Sequence, residues 1–316
     1  MNFWWRADPP AWSAPLQALA PLYAAGAAVH RALARPVKVR VPVISVGNLT
    51  VGGAGKTPVT FHLAQRLAAR GRKPAVLSRG YGRRSREPLE VTPEAIVEAA
   101  GDEPLWMARQ GCRVFVGPRL VALAQLAIQR GADVLLLDDG LQHHPLARDL
   151  DVIVVDASNP FGNGRLLPAG PLREPVSALR RVALGLVWLT RCDLPRDART
   201  AELSAFPTVE SAYEPRADLR GKRVFLFAGI ARPERFADTV RGLGAEISGA
   251  RWFRDHHLFT EGDLGALRRA AGAALLVTTE IDLVRFAEPS GIVAVRLPMR
   301  IVRGEDVLER ALAEVL

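Results

Sequence analysis

At 316 residues with 49% apolar side chains, the chain is globular and has room for two domains of ordinary size, each with its own core. Its 42 Lys and Arg against 33 Asp and Glu leave a net charge of +9, which calls for an anionic partner such as a membrane surface, a phosphorylated substrate or nucleic acid. Nucleic acid is set aside for want of a zinc-ligand pattern, an aromatic-glycine RNA motif or an isolated basic helix, and Cys112 and Cys192, with no C-x-x-C, fit a reducing cytoplasm.

The N-terminus places Trp4, Trp5 and Trp12 ahead of an apolar segment that ends in His30, Arg31, Arg35, Lys38 and Arg40. Pro15 and Pro21 interrupt it, and it is too short for a confident membrane span. A signal peptide would export the chain, which conflicts with the nucleotide-type loop that follows at once. Residues 1–38 are expected to form a membrane-associating helix, with its indoles at headgroup depth and its cations facing anionic lipid; a helix packed on the domain surface is the alternative.

Residues 39–46, "VRVPVISV", read as a strand, and residues 58–70 carry apolar side chains at helical spacing. Between them lies "GNLTVGGAGKTP", whose Gly55, Lys56 and Thr57 match the phosphate-loop pattern G-x-x-x-x-G-K-[ST]; Thr50 stands where the first glycine belongs, with Gly52 and Gly53 inside the loop. In a strand-loop-helix setting the backbone N–H groups of Thr50, Val51, Gly52, Gly53, Ala54, Gly55, Lys56 and Thr57 can converge on a phosphate. The chain has only four lysines, Lys38, Lys56, Lys73 and Lys222. A lysine at this one spot therefore carries meaning, because a compact ammonium fits between β- and γ-phosphates where a planar guanidinium does not.

A strand over 74–78 leads into "SRGYGR", and residues 91–110 are expected to be helical. "CRVFVG" is a further strand, 118–130 a helix, and "ADVLLLDDGLQHH" a hydrophobic strand ending in Asp138 and Asp139. Those two carboxylates stand where a phosphate-loop enzyme holds Mg²⁺ together with the loop hydroxyl, here Thr57. "LDVIVVDA" and "ALGLVWLTRCD" (183–193) supply two more strands, so residues 39–205 are expected to form a parallel sheet with helices on both faces, as in P-loop NTPases. A smaller second α/β domain is expected over 206–298, with "FPTVESAYEP" and "GIVAVRLPMRI" pairing as connector strands, and 299–316 as a C-terminal helix free to return to the first domain. Two lobes would suit an enzyme with two substrates.

His143 and His144, like His256 and His257, are adjacent in sequence, and neighbours on a strand point to opposite faces, so neither pair makes a metal site alone. Asp102 and Glu103 of "GDEP" precede a helical stretch, where helix capping is a competing role.

The blocks "GNLTVGGAGKTP", "SRGYGR", "GDEP", "LLDDGLQHH", "NGRLLPAGPLREP", "TRCD" and "RDHHLFT", in that order from Gly47 to Thr260, resemble the tetraacyldisaccharide 4'-kinase family of lipid A synthesis. That family's loop also lacks the first glycine. The resemblance implies transfer of the ATP γ-phosphoryl group, with Mg²⁺, to the 4'-hydroxyl of an acylated disaccharide 1-phosphate lipid at the cytoplasmic face of the inner membrane, the protein being peripheral or monotopic there. It further implies a catalytic pair of Asp102 and His256, in which Asp102 accepts the hydroxyl proton and His256 orients it. Lys56 would hold the β- and γ-phosphates, Thr57 with Asp138 and Asp139 the metal, and Arg79, Arg83 and Arg173 are candidates for anionic contacts. Glu280-Ile281-Asp282 departs from the family's usual Glu-Lys-Asp. The rival readings are a nucleotide-hydrolysing switch or metallochaperone on a similar frame, in which "TRCD" would read a guanine base, and a non-catalytic membrane protein with a vestigial loop.

Overall fold

The computed structural model describes residues 2–6, 8–181, 185–286 and 289–316; the first residues of the strand expected over 183–193 lie outside them. The chain folds as two compact units, one of residues 1–79, 119–212 and 299–316, the other of residues 80–118 and 213–298.

The first unit is built on strands whose side chains are buried on both faces, which is why "VISVG", "VLLLD" and "LDVIVVD" read as continuous apolar runs. Its strand order is Met299–Arg303, Thr208–Tyr213, Gly185–Thr190, Leu150–Asp156, Val43–Gly47, Val134–Asp138, Pro74–Ser78. The pairs from Thr208–Tyr213 through Pro74–Ser78 are parallel. Helices Lys56–Ala69, Leu120–Gln129 and Glu305–Val315 pack on the sheet, so the expected α/β class is borne out. The register sets Asp138 opposite Val46, and this places the carboxylate at the base of the loop that leaves Gly47. The two strand ends approach closely: a Cβ on Gly47 would lie 2.5 Å from the Leu141 Cβ, so only glycine fits. A core of Ile153, Val155, Val187 and Leu189 with Phe161 and Leu179 lies beside the sheet, each buried large aliphatic side chain contributing roughly 1.5–3 kcal/mol.

The second unit holds a parallel sheet ordered Glu246–Trp252, Arg223–Ala228, Leu275–Thr279, Ile292–Val295. Helices Pro233–Gly242 and Glu261–Ala271 bury Phe236, Val240, Leu264 and Leu267 against its two clusters. Thr260 and Asp263 close a capping box at the start of Glu261–Ala271. The stretch 80–118, placed in the first domain by the unbroken β-α rhythm, belongs here instead. Nor is 91–110 one helix. Leu89–Val91 pairs antiparallel with Val114–Val116, and the helix after it is interrupted at Gly101, whose φ of 86° and ψ of 156° no helix admits, leaving Val97–Ala100 and Asp102–Arg109. Of the connector stretches, Arg216 and Arg296 form an antiparallel bridge within this unit, whereas Thr208–Tyr213 and Met299–Arg303 are neighbours in the first sheet.

Candidate active-site elements

In the first unit the loop runs from Asn48 to Gly55 and opens helix Lys56–Ala69. Gly52 (φ 99°) and Gly55 (φ 92°) take left-handed conformations that side chains resist. Thr50 does not: it sits in an antiparallel bridge with Leu172, so extended backbone replaces the turn for which the general pattern needs a glycine. Its hydroxyl accepts the Asn48 Nδ2–H at 3.0 Å. The amides of Val51 and Ala54 donate inward, to Pro171 O at 2.7 Å and Gly52 O at 3.0 Å. These two amides thus shape the loop, and the amides left to face an anion are those of Thr50, Gly52, Gly53, Gly55 and the first helical turn. Lys56 folds back over the loop, its Nζ donating to Asn48 Oδ1 at 3.0 Å and lying 3.5 Å from Asp139 Oδ1.

The two aspartates differ sharply. Asp138 is buried, and its Oδ1 accepts the Thr60 hydroxyl at 3.1 Å. Burial pushes its carboxyl up to about 6, against the pull of the Lys56 ammonium and with the help of Asp139. Asp139, at φ 61°, is held by Arg173, whose Nη1 reaches Oδ1 at 2.8 Å and Oδ2 at 2.9 Å. Burial raises its carboxyl, but Lys56 and Arg173 outweigh that and keep it below the usual range. Arg173 also donates to Gln142 Oε1 at 3.0 Å, and Gln142 Nε2 reaches Asn48 O at 3.1 Å and Glu174 Oε1 at 3.2 Å. Thr60, Gln142 and Glu174 escaped the sequence reading, although "GLQHH" and "LREP" had marked two of them as parts of blocks.

Thr57 is buried at the first turn of the helix. Arg79 Nη2 lies 3.3 Å from His143 Nδ1. Burial, then Arg79 and Arg148, lower His143 to about 4, so that it is neutral near pH 7. Arg83 instead donates to its own loop, Nη2 to Glu87 O at 2.6 Å. Among the described residues no three His, Cys, Asp or Glu side chains group as metal ligands.

The N-terminus corrects one expectation. Trp4 is buried, its Nε1 donating to Pro168 O at 3.0 Å while Asn163 N–H donates to Trp4 O at 2.7 Å. It anchors the segment to the loop 159–170 and is not at headgroup depth. Trp12 (65% exposed), Leu22 (70%) and Leu33 (76%) do face outward, and helix Ala20–Leu33 buries none of its residues. No helix among the described residues is long and apolar enough to cross a membrane. Arg31 of that helix pairs with Glu174 at 3.2 Å, and a cavity of about 510 Å³ between them is lined also by Ala24, Ala27, Leu166 and Arg180.

In the second unit Asp102 opens helix Asp102–Arg109, and His256 sits at φ 58° in the turn after strand Glu246–Trp252. The two meet: His256 Nδ1 lies 2.8 Å from Asp102 Oδ2. Gly101 stands at the N-cap position and has no side chain to offer, while Asp102 Oδ1 accepts the Glu103 N–H at 2.8 Å, so Asp102 satisfies one first-turn amide as well as meeting His256. Burial raises Asp102, but His256 and Arg285 outweigh it and hold the carboxyl low. The same hydrogen bond raises His256 against the effect of burial. The Tyr81 ring lies 4.9 Å from the imidazole. His257 differs in kind, stacking on Phe253 at 4.7 Å with its Nε2 3.1 Å from Asp263. Arg285, which the sequence did not single out, donates its Nε to Asp102 Oδ2 at 2.8 Å.

Comparison with known proteins fits these elements. The family model described as "Tetraacyldisaccharide-1-P 4'-kinase" matches residues 12–316. The Tetraacyldisaccharide 4'-kinase of Anaeromyxobacter dehalogenans (strain 2CP-C) is 46% identical over 98% of this chain and 93% of its own, and that of Methylobacterium sp. (strain 4-46) 41% identical over 96% and 93%. A crystal structure of the "apo" form of LpxK from Aquifex aeolicus in complex with ATP superposes with a TM-score of 0.79 at 27% identity, covering 96% of this chain and 99% of that one. With loop, paired carboxylates and matches of this extent together, the chain belongs to the tetraacyldisaccharide-1-phosphate 4'-kinase family.

Proposed function

We propose that the protein transfers the γ-phosphoryl group of ATP to the 4'-hydroxyl of a tetraacyldisaccharide 1-phosphate lipid. The observation that carries the reading is the loop with Lys56 seated between Asn48 and Asp139, in a chain whose family is named for this reaction. Lys56 and the first-turn amides stabilise charge on the β- and γ-phosphates. The acceptor oxygen forms the new bond to the γ-phosphorus as the bond from that phosphorus to the β–γ bridging oxygen breaks and ADP leaves. Asp102 takes the hydroxyl proton, and His256 orients the carboxylate and stabilises its charge.

The donor set fits magnesium: a buried carboxylate raised to about 6 wants a cation beside it, and the hydroxyl and carboxylate oxygens are hard ligands. Thr57 and Asp138 are the residues that would hold the ion, which when bound neutralises phosphate charge; Asp139, occupied by Arg173 and Lys56, instead positions those two cations. The cavity beside helix Ala20–Leu33, with small apolar side chains and Arg31, Arg173 and Arg180, suits an acylated anionic acceptor. The exposed Trp12, Leu22 and Leu33 support docking on an anionic membrane at its cytoplasmic face, as a peripheral or monotopic protein. No nucleic acid is involved in this reading.

The test incubates the protein with radiolabelled ATP or GTP and the detergent-solubilised disaccharide 1-phosphate. Label appearing in the lipid from ATP is expected. GTP turnover without transfer to lipid would replace the kinase with a switch.

A further inference from the structure

We propose that Arg285 is the positioning residue of the Asp102–His256 pair, its guanidinium occupying Asp102 Oδ2 so that Oδ1 is left to receive the acceptor's proton. The chemical step rests on the kinase reading above; the geometry does not. Among the described residues Oδ2 faces three donors: His256 Nδ1 at 2.8 Å, Arg285 Nε at 2.8 Å and Arg285 Nη2. A carboxylate oxygen has about two lone-pair sites, so Oδ2 is full. Oδ1 accepts one bond, from the Glu103 N–H at 2.8 Å, and keeps a site open.

The guanidinium is itself fixed. Its side chain is 1% exposed, and Nη1 donates to Gly229 O at 2.9 Å and to Asp282 Oδ1 at 2.7 Å. Asp282 in turn accepts the Gly229 N–H on Oδ1 at 3.0 Å and the Thr279 hydroxyl on Oδ2 at 2.7 Å. A Cβ on Gly229 would lie 2.8 Å from Nη1, so the path of the arginine requires a glycine there. A planar fork with fixed N–H directions can bridge two carboxylates in this way, and a lysine ammonium cannot reproduce all of it.

The charge balance gives the device its consequence. Two buried carboxylates share one guanidinium, so the imidazolium form of His256 completes neutrality and is favoured. The other ionisable groups facing the pair are Glu103 and Asp255, beside His256, the Tyr81 phenol and Glu280 on the segment packed against helix Asp102–Arg109. Without the guanidinium, Asp102 and His256 both hold protons more tightly. Asp282→Asn does the reverse, leaving the guanidinium to Asp102 alone.

The experiment compares Arg285→Gln, Arg285→Lys and Asp282→Asn in the full chain by two readouts. One is the pH dependence of kcat/KM with ATP and the disaccharide 1-phosphate; the other is the NMR titration of the His256 imidazole, which needs no turnover. Arg285→Gln is expected to lose about 10²-fold in kcat with KM for ATP little changed. Its acidic limb and its His256 titration should both move up by about one pH unit. Arg285→Lys should recover part of both, and Asp282→Asn should move both down. A folded Arg285→Gln with neither displaced overturns the proposal, as does an undisplaced Asp282→Asn if the glutamine variant does not fold. Displaced His256 titrations in a protein that never labels the lipid would uphold the clamp and overturn the kinase reading.

Discussion

Replacing Asp138 by asparagine should stabilise the protein while abolishing phosphoryl transfer. Its carboxyl is buried at the strand end, and burial raises it from the usual 3.8 to about 6. A carboxyl whose folded pKa lies above its unfolded one binds its proton more tightly when folded. Its contribution to stability is therefore full below about pH 4 and lost as the pH rises through about 6. A displacement of about two pH units corresponds to roughly 3 kcal/mol by pH 8. Asparagine is neutral, has the same shape and still offers an oxygen to the Thr60 hydroxyl. In EDTA at pH 8 the variant should melt several degrees above the parent chain, at about 2–4 °C per kcal/mol for a domain of this size, and the advantage should shrink to nothing near pH 4. Millimolar magnesium should narrow the gap by stabilising the parent selectively. Thermal unfolding followed by circular dichroism between pH 4 and 8 measures all of this. A variant less stable than the parent at pH 8, or one whose advantage ignores pH, would refute the reasoning.

Three further outcomes are expected. Lys56→Ala should remain folded and lose on the order of 10²-fold or more in kcat, since it removes the charge that the proposed mechanism sets on the phosphates; near-normal turnover would end the phosphate-loop assignment. Asp102→Ala and His256→Ala should each cut kcat strongly and the double variant little more, whereas His257→Ala should act through stability, having lost its stack on Phe253 and its contact with Asp263. Trp4→Ala should destabilise by about 3–5 kcal/mol without a direct effect on vesicles, whereas Trp12→Ala with Leu22→Ala should weaken binding to phosphatidylglycerol vesicles with the melting temperature unchanged. Equal behaviour of the two tryptophan sites in flotation assays would contradict the split.

The elements of the first sheet were legible because strands covered on both faces have no alternative to unbroken apolar runs. The loop was legible because a lysine is rare in this chain. What stayed hidden depends on long-range placement. That residues 80–118 join the second unit is invisible in a β-α rhythm that continues across Arg79, and the break at Gly101 looks like one more helical glycine until its dihedrals are seen. Trp4 and Trp12 are alike in composition, and only the carbonyl of Pro168 sends one inward. Arg285 lies 183 residues from Asp102 in sequence, and nothing local distinguishes it from the other arginines. The family resemblance joined Asp102 to His256; residue chemistry alone offered no reason to pair them.

One carboxylate in each unit is held by a guanidinium in the same way, and this gives the arginine-rich composition a second meaning. Asp139 is met by Arg173 on both oxygens, and Asp102 by two nitrogens of Arg285. In each unit the residue at the centre of the network also sits at positive φ, Asp139 at 61° and His256 at 58°, a conformation that costs about 1–2 kcal/mol outside glycine. Such strain persists only where surrounding contacts over-determine it. For Asp139 those contacts are the guanidinium and Lys56; for His256 they are the Asp102 carboxylate and the backbone bond from its own N–H to Gly229 O at 3.0 Å. A flexible ammonium would let either carboxylate rotate, while a guanidinium fixes its plane as well as its charge. The lone lysine of the network bridges Asn48 and Asp139, where the proposed reaction needs a point charge between phosphates, and arginines stand where a carboxylate must be kept from turning. The excess of arginine over lysine therefore serves geometry at these sites as well as adding to the net charge of +9.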